Sequence, residues 1–356
     1  MHNVPRTTLP RTKEQGEKEA QRIKKYRELE QNIRQRVEAN KQSAIGQTNN
    51  GTENSQPADY SNDRKSVEST IRSELVFTVP LLIEFPKCYW IWKYRVWMLQ
   101  QATEKLLVTN ARVVWEEELV LVQKMLHKDC RNFHAWGYRR HVVSQLENPI
   151  LNGKSMVESE FVYTTMMTLT DLSNFSAWHN RSQLIPRLLN ERNADAGARK
   201  RFLDEGEFSS CRLNLRQIFV WLITSMSHVE RENVHEALNL GPDDQSLWYY
   251  HQYLVNAIIG ASGQGPIVRD LSLEERHNYL QDEIAFIQDL LEDYLDVKWI
   301  YEALVECTLA AKKLSAHELQ QTKRYPLAEW IRKLQELDKK RKGRWDDLEM
   351  YIQVHY

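Results

Sequence analysis

The sequence predicts an all-α fold: a right-handed superhelical crescent, or solenoid, of stacked helical hairpins. Three observations predict it. A Trp-centred phrase recurs in order along the chain, at spacings suited to helical hairpins. Glycine (12) and proline (10) are sparse among 356 residues, so few breakers interrupt helices. Eleven Trp and fifteen Tyr supply large side chains for a core made between helices.

The chain opens with an N-terminal arm and a basic helix over residues 1–39. Residues 40–66 are rich in Asn, Ser, Gln and Gly and nearly free of large apolar side chains. Such a segment buries too little to offset its ordering entropy, so it is expected to be disordered. A repeat domain is expected over residues 67–356. Its first apolar face, around Leu75 and Leu81, would then lack a preceding hairpin to cover it.

Four phrases of the repeat domain align on one Trp each. They are "PKCYWIWKYRVWML" (Trp92), "RNFHAWGYRRHVV" (Trp136), "SNFSAWHNRSQLI" (Trp178) and "DDQSLWYYHQYLV" (Trp248). The gaps between the four Trp are 44, 42 and 70 residues. A weaker relative, "LDVKWIYEALVE", is centred on Trp299. Four positions before each Trp stands Cys88, Asn132, Asn174 or Asp244. Asn and Asp accept hydrogen bonds from free N–H groups and mark a helix start. Three positions after each Trp stands Arg95, Arg139, Arg181 or His251. Positions i, i+4 and i+7 share one helix face. Each Trp is read as core, and each Arg as a hydrogen-bonding fork between neighbouring hairpins.

A second helix precedes each phrase. "WEEELVLVQKMLHKD" places Leu119, Val122 and Leu126 on one face, and "ESEFVYTTMMTLTD" does so with Phe161, Met166 and Leu169. One such hairpin cannot bury its Trp face alone, whereas stacked neighbours can. The 70-residue gap holds "GEFSSCRLNLRQIFVWLITSMSHVERE", which fits no position of the repeat. Residues 206–230 are therefore read as an insertion, with a retained intron and a genuine insert both open. The flanking "RKRFLDE" and "NVHEALNL" would otherwise join into one upstream helix.

Composition narrows the function classes. The chain is 42% hydrophobic and 27% charged, with a net charge of −1. That gives no global electrostatic case for nucleic acid or a membrane surface. No stretch reaches membrane-spanning length, and the N-terminus lacks an apolar signal region, so a cytoplasmic protein is expected. Cys88, Cys130, Cys211 and Cys307 are far apart and imply neither a disulfide framework nor a zinc cage. No Ser-His-Asp arrangement, phosphate-binding loop or HExxH motif is present. On the residues alone, Lys87 in "FPKCYW" is a solvated loop lysine and His134 an interface histidine.

The phrase Asn-[Phe/Tyr]-x-x-Trp-x-x-Arg-Arg at this period resembles the repeat of protein prenyltransferase α subunits. The Met-His start, "PKCYWIW", "RNFHAWGYRR", "NFSAWHNRS…IP" and "DDQSLWYYHQYL" narrow the resemblance to the α subunits of Rab geranylgeranyltransferase (type II). The resemblance implies a heterodimer with a β subunit that holds the lipid tunnel and the catalytic zinc. This chain would bind no cofactor or metal of its own. A Rab escort protein would present Rab GTPases, whose C-terminal cysteines receive geranylgeranyl from geranylgeranyl diphosphate. The resemblance makes Lys87 the catalytic lysine that reaches the lipid diphosphate, and puts Tyr89, Asn132 and His134 on the diphosphate rim. His2 would approach the β-subunit zinc. Two rival readings remain. One is the α subunit shared by farnesyltransferase and type I geranylgeranyltransferase. The other is a non-catalytic tetratricopeptide-like scaffold, although that repeat has a different pattern and a 34-residue period.

Overall fold

A computed structural model describes residues 13–42, 57–204, 230–260, 267–268, 270–315 and 325–355. Among them there are helices and no strands. The chain divides into two compact units, Met1–Ser155 and Met156–Tyr356. The first holds α1 (Lys13–Gln42), α2 (Pro57–Glu84), α3 (Tyr89–Lys105), α4 (Val108–Lys128) and α5 (Phe133–Leu146). The second holds α6 (Val157–Thr170), α7 (Phe175–Glu191), α8 (Ala196–Asp204), α9 (Glu230–Leu240) and α10 (Gln245–Ile259). It continues with α11 (Leu273–Asp293), α12 (Lys298–Ser315), α13 (Leu327–Leu337) and α14 (Lys342–His355). Within each unit, consecutive helices pack as hairpins: α2 on α3, α4 on α5, α6 on α7, α9 on α10, and α11 on α12.

One turn is used at every hairpin. The residue four before the repeat Trp donates its backbone N–H to the carbonyl three residues earlier. The pairs are Cys88 to Phe85 (3.0 Å), Asn132 to Asp129 (3.1 Å), Asn174 to Asp171 (3.0 Å) and Asp244 to Gly241 (3.1 Å). Asn132, Asn174 and Asp244 then cap α5, α7 and α10 by accepting from backbone N–H groups of the first turn. Each such cap stabilises its helix by about 1 kcal/mol. Cys88 holds the same backbone position without a side-chain cap bond.

The Trp closes the turn from inside. Each indole Nε1 donates to the carbonyl six residues back: Trp92 to Pro86 (2.9 Å), Trp136 to Cys130 (2.8 Å), Trp178 to Leu172 (2.7 Å) and Trp248 to Pro242 (2.7 Å). All four rings are buried. A fully apolar ring could not make that bond, so the indole meets a packing need and a hydrogen-bonding need together. Stacking passes from one hairpin to the next through the residue two after the next Trp. Trp92 lies 4.9 Å from Tyr138, and Trp178 lies 4.5 Å from Tyr250, ring centre to ring centre.

The fifth unit differs from the sequence reading. Tyr301, not Trp299, occupies the repeat-Trp position. Its hydroxyl donates to the Leu295 carbonyl, six residues back, at 2.8 Å, and its ring is buried. Trp299 is half-buried, with the Lys298 ammonium 4.6 Å from its ring centre. Choosing the nearest Trp shifted the register by two residues. The capping turn, not the ring type, sets the register.

The face of α6 also differs. Phe161 and Met166 are half-buried and Leu169 is 52% exposed. The inward positions are Val157, Glu160, Thr164 and Met167. Polar residues share that stripe, so apolar letters alone mark the wrong one.

The N-terminal end needs two corrections. Of residues 40–66, residues 40–42 end α1 and residues 57–66 open α2, while 43–56 lie outside the described residues. Pro57 suits a helix start, where its missing N–H costs nothing. The face around Leu75 and Leu81 is not bare either: Leu75 is buried and Leu81 half-buried, and α1 reaches α2 and α3. Leu29 and Ile33 of α1 are buried, Arg36 pairs with Glu74 at 2.7 Å, and Asn40 donates to the Tyr94 hydroxyl at 2.9 Å. Tyr94 in turn donates to Glu74 at 2.9 Å. Burial, reinforced by Glu74, pushes the Tyr94 hydroxyl well above its ordinary pKa, so it stays a donor.

The insertion assigned to residues 206–230 lies outside the described residues, apart from Glu230 at the start of α9. The flanking helices α8 and α9 pack together, with Leu203 and Val234 fully buried. His2 and Cys211 also lie outside the described residues. Cys88, Cys130 and Cys307 carry no disulfide.

Candidate functional site

The candidate site lies in the first unit, where the α2–α3 turn meets the start of α5. Its base is the Pro86 carbonyl, which accepts from Trp92 Nε1 (2.9 Å) and from Asn132 Nδ2 (3.0 Å). Two donors on one carbonyl pin the backbone next to Lys87. Asn132 also accepts from the N–H groups of His134 (3.1 Å) and Ala135 (3.3 Å). Its side chain thus uses its carbonyl and its amide inside the protein, and the residue is 1% exposed. This corrects the reading of Asn132 as a rim residue. It stands behind the rim and holds Lys87's loop.

Lys87 and Tyr89 stand on the outside. Lys87 has a side chain 41% exposed, and its ammonium lies 3.3 Å from an Asp129 carboxylate oxygen. Tyr89 is exposed at the first position of α3, with the Lys93 ammonium 5.7 Å from its ring centre. His134 is half-buried, with its ring 4.0 Å from that of Phe133. Burial, and then the nearby Lys87 charge, lowers the His134 pKa. The rim therefore offers an ammonium, an imidazole that favours its neutral form, and one phenol. Asp129 partly offsets the cation. An anion that displaces Asp129 meets an ammonium on a pinned loop, the arrangement that anion stabilisation needs. An ammonium, a phenol and a single imidazole do not make a metal-ligand set.

The basic residues of the repeat turn inward. Arg95 is buried and grips Glu118 of α4 through two bonds, Nε to Oε1 (2.8 Å) and Nη2 to Oε2 (2.7 Å). It also donates to Thr78 Oγ1 and to the Leu75 carbonyl on α2. Arg139 is buried. Arg181 donates to Thr165 Oγ1 at 2.6 Å, with its guanidinium 3.9 Å from the Phe161 ring centre. His251 lies 2.9 Å from Glu283 of α11.

The sequence reading missed these acids and Asp129. A signal for two of them was present. Glu118 falls on the stripe Ala111, Trp115, Val122, and Glu283 on the stripe Leu280, Ile284, Ile287. A charged residue on a buried helical stripe calls for an inward partner. Asp129 sits in a turn, where a carboxylate is ordinary and carries no such signal.

The exposed apolar residues have a pattern too. Tyr89, Phe133 and Phe175 each stand three before a repeat Trp, and Tyr249 stands one after. All four are exposed. Phe175 and Tyr249 meet edge to face at 6.2 Å, and Tyr249 meets Trp299 at 5.9 Å. In the second unit, Phe175, Tyr249 and Trp299 thus form a contiguous aromatic patch, a composition suited to an interaction surface.

Comparison with known proteins agrees with this geometry. The family model described as protein prenyltransferase alpha subunit repeat matches residues 71–102, 115–146 and 157–188. The hairpins of Trp248 and Tyr301 extend the same turn geometry beyond those residues. A Schizosaccharomyces pombe protein named geranylgeranyl transferase type-2 subunit alpha is 30% identical over 244 residues, 67% of this chain and 62% of the relative. A Dictyostelium discoideum protein of the same name is 31% identical over 244 residues, 68% of this chain and 61% of the relative. A Saccharomyces cerevisiae protein of that name is 47% identical over 75 residues, 21% of each chain. The chain thus spans about three-fifths of the length of the first two. With repeat spacing, turn geometry and family match in agreement, the chain belongs to the protein prenyltransferase α-subunit repeat family.

Proposed function

We propose that this chain is the α subunit of a Rab geranylgeranyltransferase, geranylgeranyltransferase type II. It assists transfer of geranylgeranyl from geranylgeranyl diphosphate to C-terminal cysteines of Rab GTPases. The observation that carries the reading is the Lys87 ammonium on a loop pinned through the Pro86 carbonyl by Trp92 and Asn132. The printed names of the relatives support the type II assignment over the shared farnesyltransferase subunit and over a scaffold.

In this reading the partner is a β subunit, which brings the lipid tunnel and the zinc. That zinc supplies thiolate activation when bound. This chain contributes Lys87 as a fixed positive charge toward the departing diphosphate. Tyr89 flanks it, and His134 stays neutral as a donor. The exposed rings Phe175 and Tyr249 suit a partner surface. A Rab escort protein presents the substrate, and the complex works in the cytoplasm. No helix among the described residues is long and apolar enough to cross a membrane.

Co-expression with candidate β subunits, followed by lipid transfer to a Rab with its escort protein, tests the assignment. Pairing with a β subunit that serves CaaX proteins would transfer the chain to the rival enzyme, and pairing with none would favour the scaffold. Within the heterodimer, Lys87→Ala should lower the transfer rate by about 10- to 1000-fold while leaving assembly intact. Equal loss of assembly and rate would make Lys87 structural.

A further inference from the structure

In the second unit, three helices bring metal-ligating side chains to one point. His235 of α9, His251 of α10 and Glu283 of α11 hold their ligand atoms within 4.8 Å of one another. His235 Nε2 lies 2.8 Å and His251 Nε2 2.9 Å from the same oxygen, Glu283 Oε2. We propose that His235, His251 and Glu283 form a binding site for a divalent transition-metal ion of zinc-like preference, which staples α9, α10 and α11 together.

Geometry supports this first. Around a tetrahedral zinc ion, bonds of about 2.0–2.2 Å separate neighbouring ligand atoms by about 3.3 Å. The two histidine–carboxylate spacings, 2.8 and 2.9 Å, reach that value with shifts of a few tenths of an ångström, and all three ligand atoms lie within 4.8 Å of one another. Two imidazoles and one carboxylate are a donor set that zinc and its neighbours in the first transition row accept.

The surroundings support it independently. The other Glu283 oxygen, Oε1, lies 2.7 Å from Arg231 Nε. That positive charge stands behind the carboxylate, and Oε2 is left facing the two imidazoles. His235 is held flat against Phe286, with ring centres 3.7 Å apart and planes 13° from parallel. A cavity of about 70 Å³ is lined by His251, Glu306 and Cys307 among others. Of the three proposed ligands only His251 borders that cavity, so it lies beside the cluster. Burial keeps Glu283 and His251 from bulk solvent, while the His235 side chain, 18% exposed, is the route in. Metal donors on this chain depart from the expectation that it binds no metal of its own. The signal was hidden because the three residues stand 16 and 32 positions apart on separate helices.

Cobalt(II) is the probe. The full chain is stripped with a chelator, dialysed into metal-free buffer with a non-thiol reductant, and titrated with Co²⁺. Expected are visible d–d bands that saturate at one Co²⁺ per chain and vanish when Zn²⁺ is added. Zn²⁺ should also raise Tm, because it binds the folded state. His235→Ala, whose side chain sits at the edge of the cluster, should keep the helical circular dichroism and weaken Co²⁺ binding about tenfold or more. His235→Gln serves as a second variant should the alanine protein not fold. Absence of protein-dependent d–d bands would overturn the proposal. So would Co²⁺ binding whose spectrum and affinity the His235 variants leave unchanged, since that is metal held by other surface histidines.

Discussion

Among the residues three after a repeat Trp, Arg95 of α3 in the first unit and His251 of α10 in the second are served in different ways. Arg95 meets Glu118 with two bonds and still reaches Thr78 and the Leu75 carbonyl, so one side chain ties α2, α3 and α4. Both side chains of the ion pair are only 3% exposed. A guanidinium carries five donors in a rigid fork and can do this alone. An imidazole offers one donor toward a carboxylate. In the second unit the work is accordingly spread over His251, His235 and Arg231, all directed at Glu283. Replacing a fork by a ring makes the junction multi-membered and titratable, and it gathers the donors from which a metal site can be built.

Arg95→Ala is the sharpest way to break this comparison. It leaves Glu118 buried without its partner and should cost about 3–5 kcal/mol, read as a lower urea midpoint at unchanged m-value. His251→Ala should cost less, about 1–3 kcal/mol, because His235 and Arg231 still face Glu283. Equal losses in the two variants would show that the second junction has no redundancy.

Acid sharpens the contrast. Burial alone would raise the Glu283 pKa, but hydrogen bonds from His235 and His251, with their charges, hold it well below the usual carboxylate range. A carboxylate lower in the folded than in the unfolded state adds stability that is complete above the unfolded value, about 4.3, and is lost as pH falls below it. Melting the metal-free protein between about pH 5 and pH 3 should therefore show a steeper fall for wild type than for Glu283→Gln. Parallel curves would remove Glu283 from the account. The smallest expected effect concerns register. Tyr301→Phe removes the bond to the Leu295 carbonyl and should cost about 0.5–1.5 kcal/mol by urea denaturation. A silent Tyr301→Phe would mean that the fifth hairpin does not need the closing bond of the other four.

Much of this fold was legible because its signals are local. Asn132, Asn174 and Asp244 were identifiable as caps because a short acceptor before a helical stripe has one common use. The candidate site was less legible. Lys87 stood out only through a resemblance, since a lysine in a turn is ordinary. The inward role of Asn132 is not legible in the sequence, because its contact with the Pro86 carbonyl spans 46 positions. The packing of α1 on the first hairpin was not legible, because Leu29 and Ile33 are isolated apolar residues in a mostly charged helix.

By itself the sequence determined the helical class, the hairpin period, the capping residues and the inward Trp. The period follows from recurrence of one short phrase, and the others from groups within about seven residues of one another, where the α-helix's 3.6-residue turn dictates who is neighbour to whom. Tertiary structure alone decided which acid each inward cation meets. The separations are 23 positions from Arg95 to Glu118, 32 from His251 to Glu283, and 48 from His235 to the same carboxylate. It also decided that Tyr301 takes the place of a tryptophan and that α1 lies along the first hairpin. The physical reason is that helix period repeats along the chain. Contact between helices depends instead on how side-chain volumes interlock, and no short window of sequence contains both partners.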